Sequence, residues 1–326
     1  MSLTQNLSAE CLRYIIEYVN EDASIYSCLL VNRFWRDNSL PMLWSRPFNF
    51  SLTPHIHGVR LMNTYISCLS AEQKQYLNNN GIYIRNNSIP NINYLKHLRE
   101  LNYDILQLFT RSWIYENNHF DRDPSTDLNE IIESLEPTVL EEYNDQTNRL
   151  LSCLFSMFIE RSVNLTYFSF YSYDDELCLD LPELPTWMTS AASSPETDSS
   201  SVVSSHETAT SLAASNNSLG GLRTFICEIS GDLRLPNLKK FMEILSTQCK
   251  ALDTIEFTWN GRHDSYVNNL IEIIRQQQQL KEIRLNTNNF NIVRVIEALN
   301  TERHNLVIMQ IEDVNGTSFI RFTIIE

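Results

Sequence analysis

A mixed α/β fold, helical at the N-terminus and built of strand–turn–helix units behind it, is what this 326-residue sequence predicts. Leucine, isoleucine and tryptophan recur at helical spacing over residues 1–46, and a short apolar unit then recurs at near-regular intervals. Between two of those units lies a Ser-rich stretch that no packed core would hold. The length suggests about two domains.

The first element is an amphipathic helix, with Leu12, Ile15, Ile16 and Val19 at i, i+3, i+4 and i+7. Ser8 stands ahead of it as N-cap, and Glu10 complements the helix dipole in the first turn. A second helix is expected from about Ser24 to Asp37. It carries Ile25, Cys28, Leu29, Leu30, Val31, Phe34 and Trp35 nearly all round, so burial on several sides is expected. A short third element, Leu40-Pro41-Met42-Leu43-Trp44, follows. Three such helices cannot cover their own apolar surface. Either the rest of the chain covers it, or a partner does.

The order of these blocks resembles an F-box. The family pattern is an L-P-x-E-x-L opening, an I-x-x-x-L stretch, an L-V-C-[KR]-x-W segment and a closing L-W. Here they read Leu7-Ser8-Ala9-Glu10-Cys11-Leu12, Ile15-Ile16-Glu17-Tyr18-Val19, Leu30-Val31-Asn32-Arg33-Phe34-Trp35 and Leu43-Trp44. The sequence departs from the pattern at Ser8, where proline is usual, and at Asn32, where cysteine is common. Residues 47–97 read as a connector with one or two short helices, one of them near Ser70 to Asn78.

From residue 98 to 326 the unit L-x-x-[LIFM]-x-[LIFCY] recurs. It occurs at Leu98-Leu101-Tyr103, Leu165-Phe168-Phe170, Leu222-Phe225-Cys227, Leu252-Ile255-Phe257, Leu280-Ile283-Leu285 and Leu306-Met309-Ile311. The last four begin 30, 28 and 26 residues apart. Helices are expected between them at Leu238–Cys249, Val267–Gln278 and Ile292–Leu299. Asn260 and Asn288 fall three residues past the last apolar position. This resembles a degenerate leucine-rich-repeat solenoid. An unrelated α/β domain with short alternating helices is the competing expectation.

Residues of about 186–221 read as a disordered insert extruded from one repeat. Eleven serines and four threonines crowd Thr189 to Ser218, and no Lys or Arg occurs from Ser162 to Leu222, against eight acids. Ser194-Pro195 is a candidate phosphorylation site there, with an unmodified insert as the plainer expectation.

Several chemistries have little to stand on. Only seven glycines occur, none in a phosphate-cradling spacing. A net charge of −15 disfavours nucleic acid. No leader and no run of some 18 apolar residues is seen, so the chain reads as intracellular, cytoplasmic and/or nuclear, with no membrane partner. The seven cysteines are odd in number and scattered, and read as reduced core residues. His55-Ile56-His57 would put two imidazoles on one side of a strand, without the further ligands zinc needs. Glu141-Glu142 and Asp174-Asp175-Glu176 read as solvated rather than as acid–base pairs. No catalytic residue, metal or cofactor is expected.

What the resemblance implies is a non-catalytic substrate receptor of an SCF-type cullin ubiquitin ligase. The F-box would dock on the Skp-type adaptor subunit, and through it a cullin, while the repeats would hold a substrate protein. By family analogy Leu7, Leu12, Ile16, Leu29, Leu30, Val31, Trp35, Leu40 and Trp44 build or present the adaptor interface. The substrate-facing strand positions would be Thr224, Ile226, Glu228, Thr254, Glu256, Thr258, Glu282, Arg284, Asn286, Ile308, Gln310 and Glu312, with Glu256 and Arg284 close enough to pair. A scaffold whose N-terminal helices only cap the solenoid is the alternative. An undetected cysteine hydrolase is the enzyme alternative, and no activated cysteine supports it. Trp35→Ala is expected to abolish adaptor binding, and a folded variant with unchanged affinity would refute this.

Overall fold

The structure is a computed structural model that describes residues 8–19, 22–49, 54–84, 90, 92–118, 132, 135–172, 180–183, 218–231, 233–259, 265–287, 292–301, 306–312 and 319–323. It is mixed α/β. The chain divides into two compact units, Met1–Ser169 and Phe170–Glu326, whereas the sequence reading placed its limits at 46/47 and 97/98.

The first unit opens with α1 (Ala9–Val19), α2 (Asp22–Leu29) and α3 (Arg33–Leu43). The Cys11 amide donates to Ser8 Oγ at 3.1 Å, so Ser8 caps α1. The long second helix expected from the sequence is instead two. The Trp35 amide donates to Asn32 Oδ1 at 3.0 Å, and that N-cap starts a new helix after the turn at Leu30-Val31. The expected third element is the end of this same α3, which continues through Pro41. Leu12, Ile16 and Ile25 form the small core, with Cys28, Trp35, Met42 and Leu43 packed on it.

Next come α4 (Pro54–Ser67) and α5 (Ala71–Asn79). The sequence reading anticipated α5 but not the full length of α4. Ser70 and Gln73 form a reciprocal capping box at the start of α5. At its end the Gly81 and Ile82 amides donate back to the Asn78 and Leu77 carbonyls, with Gly81 at φ +83°. That is a Schellman stop, and it needs a residue tolerant of positive φ. β1 (Glu100–Asn102), α6 (Tyr103–Asn117) and the 25-residue α7 (Pro137–Arg161) follow, and β2 (Tyr167–Ser172) crosses into the second unit. β1 and β2 pair in parallel, Leu101 opposite Phe168. The Phe48 and Tyr65 rings stack at 5.9 Å, and Phe158 meets both edge-on at 5.8 and 4.8 Å, centroid to centroid.

In the second unit β3 (Thr224–Ile229), β4 (Thr254–Trp259), β5 (Glu282–Thr287) and β6 (Ile308–Glu312) lie side by side in chain order and parallel. They are linked by α8 (Pro236–Gln248), α9 (Ser265–Gln276) and α10 (Ile292–Thr301). β7 (Phe319–Thr323), which the sequence reading did not anticipate, pairs antiparallel with β6.

The middle apolar position of each of the six units falls on a strand, and along β3 to β6 these positions are in register. Phe225, Ile255, Ile283 and Met309 form one row, and Cys227, Phe257, Leu285 and Ile311 the next. The leading leucines 98, 165, 222, 252 and 280 are fully buried. After each of four of them, one carbonyl accepts two amides from the following rung. Arg99 accepts from Thr166 and Tyr167, Arg223 from Asp253 and Thr254, Asp253 from Lys281 and Glu282, and Lys281 from Val307 and Ile308, all at 2.8–3.0 Å.

A further repeat position escaped sequence reasoning. Three residues before the leading leucine stand Leu95, Ser162, Leu219, Cys249 and Gln277, all buried although their polarity differs. Gln277 accepts from the Leu252 amide and donates to the Cys249 and Ile273 carbonyls at 2.8–2.9 Å. Residues 186–217 of the expected insert lie outside the described residues, as do Asn260 and Asn288. Its expected end, 218–221, is instead a 3-10 turn with Leu219 buried. On the near side, Asp180 accepts from the Asn237 and Leu238 amides and so caps α8.

Two predictions follow from packing in the first unit. A Cβ on Gly58 of α4 would stand 2.5 Å from the buried Phe109 ring of α6. Gly58→Ala is therefore expected to destabilise by about 1–3 kcal/mol despite alanine's better helix propensity. A thermal midpoint at or above wild type would contradict it. Asp104, in the first turn of α6, has one carboxylate oxygen buried without a partner, and burial pushes its pKa up to about 6. A raised carboxyl pKa contributes stability below the unfolded value near 4, lost as pH rises through about 6. Asp104→Asn is expected to flatten that fall, on the order of 1–3 kcal/mol. Equal pH dependence in urea titrations of both proteins would exclude the assignment.

Candidate functional site

Two surfaces stand out, one in each unit. On the N-terminal helices the structure sorts the residues singled out by the sequence. Leu12 and Ile16 are fully buried, so they build the module rather than present it. Leu29, Trp35, Leu40 and Trp44 are half-buried, and Leu7 lies outside the described residues. Trp35 packs on the small core, and its indole nitrogen is buried without an acceptor. Trp44 packs on Tyr94 and Tyr65.

Leu30 and Val31 are the two that face solvent, at 73% and 55% exposure. This overturns the expectation that the second helix is buried on several sides. The reason is the Asn32 cap, which ends the turn there and throws both side chains outward. Sequence reasoning passed over their exposed neighbours in the chain Tyr14, Tyr18 and Tyr26, and it placed Ile15 and Phe34 on apolar faces although both are exposed. Tyr14 and Tyr18 are one turn apart, off the buried stripe of α1, and a helical wheel would have found them. Among the described residues, seven of the thirteen exposed large hydrophobic side chains lie between Tyr14 and Phe34. Exposed apolar side chains concentrated in this way are uncommon on a monomer.

In the second unit, burial alternates along β3 and β4. Thr224, Ile226, Glu228, Thr254, Glu256, Thr258, Glu282, Asn286, Ile308 and Gln310 are half-buried and Arg284 is exposed, in three cross-strand rows. The Glu312 backbone continues one row, and its side chain is outside the described residues. Arg284 bridges Glu256 at 3.3 Å, as the spacing suggested, and also Glu282 at 2.7 Å, which the sequence reading did not anticipate. Such surface pairs contribute under about 1 kcal/mol. Burial, and secondarily the charge of Glu256, raises the Glu228 carboxyl pKa.

Catalytic groups of the kinds weighed in the sequence do not assemble among the described residues. His55 and His57 sit in the first turn of α4, not on a strand, and i, i+2 positions of a helix do not share a face. Glu141 and Glu142 are exposed on α7, and 174–176 lie outside the described residues. No group of three or more potential metal ligands occurs among the described residues. Burial raises the thiols of Cys68, Cys227 and Cys249, and pushes Cys153 up to about 11, so all four are poor nucleophiles. Cys11 departs from the expectation of core cysteines, being exposed, and Cys28 is half-buried. No described helix is long and apolar enough to cross a membrane. No family model, curated protein or solved structure matches the chain.

Proposed function

We propose that this protein is a non-catalytic substrate receptor of an SCF-type ubiquitin ligase, its F-box-like helices docking on a Skp-type adaptor and its leucine-rich-repeat-like rungs holding a substrate protein. The observation that carries this reading is the exposed apolar surface of α1–α3. Folded helices with their own core leave tyrosine, leucine, valine and phenylalanine side chains in water, which a partner would cover. Both departures from the F-box pattern, Ser8 and Asn32, are helix N-caps, so they keep the helices that the pattern demands. The half-buried polar rows of β3–β6 suit a polar or basic segment of the substrate. Rate would come from proximity, with chemistry on other subunits.

The second reading keeps the rungs and makes α1–α3 a cap. It is favoured by Trp44, which packs its ring on Tyr94 and Tyr65 as a capping element would.

The full chain, co-expressed with a Skp-type adaptor, is expected to co-purify one to one. Leu30→Asp combined with Val31→Asp is expected to lose about 100-fold in affinity, roughly 2.7 kcal/mol, with an unchanged melting temperature. These two side chains test docking more cleanly than Trp35, whose truncation also opens the small core. A soluble monomer that never binds the adaptor would leave the capping reading.

A further inference from the structure

We infer that Trp44 stands as a rung ahead of β1 and holds α1–α3 in one orientation against β1, with no spacer between. The Ser45 carbonyl accepts the Arg99 and Glu100 amides at 2.8 and 2.9 Å, as the Arg99 carbonyl accepts Thr166 and Tyr167 one rung later. Ser45 therefore stands where the residue after a leading leucine stands, and Trp44 takes the leucine's place. Its ring lies 4.1 Å from that of Tyr94 and 5.6 Å from that of Tyr65, centroid to centroid. Pro47, three residues on, is buried as the second apolar position asks. Proline has no N–H, so the rung stops there without becoming a strand. Asn49 Nδ2 then donates to the Glu100 carboxylate at 2.6 Å and ties the segment down again.

The other side of Trp44 belongs to the helices. Its amide donates back to the Leu40 carbonyl at 3.1 Å, closing α3, while the next carbonyl bonds forward to β1. One residue thus ends the helix and the next begins the ladder. Trp44 is a positioning residue and not part of the exposed face. The inference is independent of the adaptor; only its consequence, that a docked partner is held at a fixed angle to β1, rests on the proposed function.

The test is a distance distribution in the full chain, by pulsed electron resonance. Spin labels are placed through non-natural amino acids at position 18 of α1 and position 141 of α7, both exposed. Wild type and Trp44→Phe, which keeps an aromatic ring against Tyr94, are expected to give one narrow distribution. Trp44→Ala is expected to broaden it and to speed amide exchange at Arg99 and Glu100 by about tenfold. Because Trp44→Ala risks unfolding the unit, a second variant inserts Gly-Gly-Ser-Gly-Gly-Ser between Leu43 and Trp44. It leaves the ring in its slot, so the distances are expected to broaden while those two amides stay protected. A broad distribution in wild type, or one that the insertion leaves narrow, would overturn the inference.

Discussion

Within each unit the parallel strands are tied together just after the leading leucine, where a single carbonyl accepts two consecutive amides: Arg99 in the first unit, and Arg223, Asp253 and Lys281 in the second. That bond sets the phase of everything after it. With the strand start fixed, a side-chain period of two sends the residues at +3 and +5 from the leading leucine inward. A slip of one residue would place Phe225, Ile255 and Ile283 in water and draw Glu256 and Arg284 inside. The buried leucines make that slip costly and the shared carbonyl makes it geometrically awkward, so the two constraints reinforce each other.

The arrangement also separates two kinds of surface. Positions between the inward ones carry mostly threonine, glutamate, asparagine and glutamine, with Ile226, Ile308 and the exposed Arg284 among them, and all of the described ones but Arg284 stay half-buried. On α1–α3 the opposite holds, because the short helices own only a three-residue buried core and leave large apolar side chains outside. A polar recognition face suits a variable partner, and an apolar one suits a constant partner whose surface is always there to cover it. The proposed function assigns them in that way.

Much of this was legible in the sequence because it is periodic. The six apolar units announce their strands through spacing, and the registers put Leu101 opposite Phe168 and the units of β3 to β6 opposite one another. The helices α8, α9 and α10 begin and end within two residues of their expected bounds, since amphipathic stripes and strand spacing bracket them. What escaped was aperiodic or depended on a single bond. The break between α2 and α3 rests on the Asn32 side chain in a run of apolar residues that otherwise reads as one helix. α7 fills the long interval between the first two units, where no repeat marks its ends. The buried position before each leading leucine was hidden because leucine, serine, cysteine and glutamine share no chemistry there, only a place.

That last diversity bears on how the chain finds its own order. An array of identical rungs could skip a unit, or trade one with a neighbouring molecule, and lose little in doing so. Gln277 cannot be exchanged for Cys249 in this way, because its amide is matched to the Leu252 amide on one side and to the Cys249 and Ile273 carbonyls on the other. Replace Gln277 by an apolar side chain and the buried Leu252 amide and Cys249 carbonyl lose this partner, at roughly 1–3 kcal/mol for each group stranded. The irregularity that makes these repeats hard to recognise gives each rung an address.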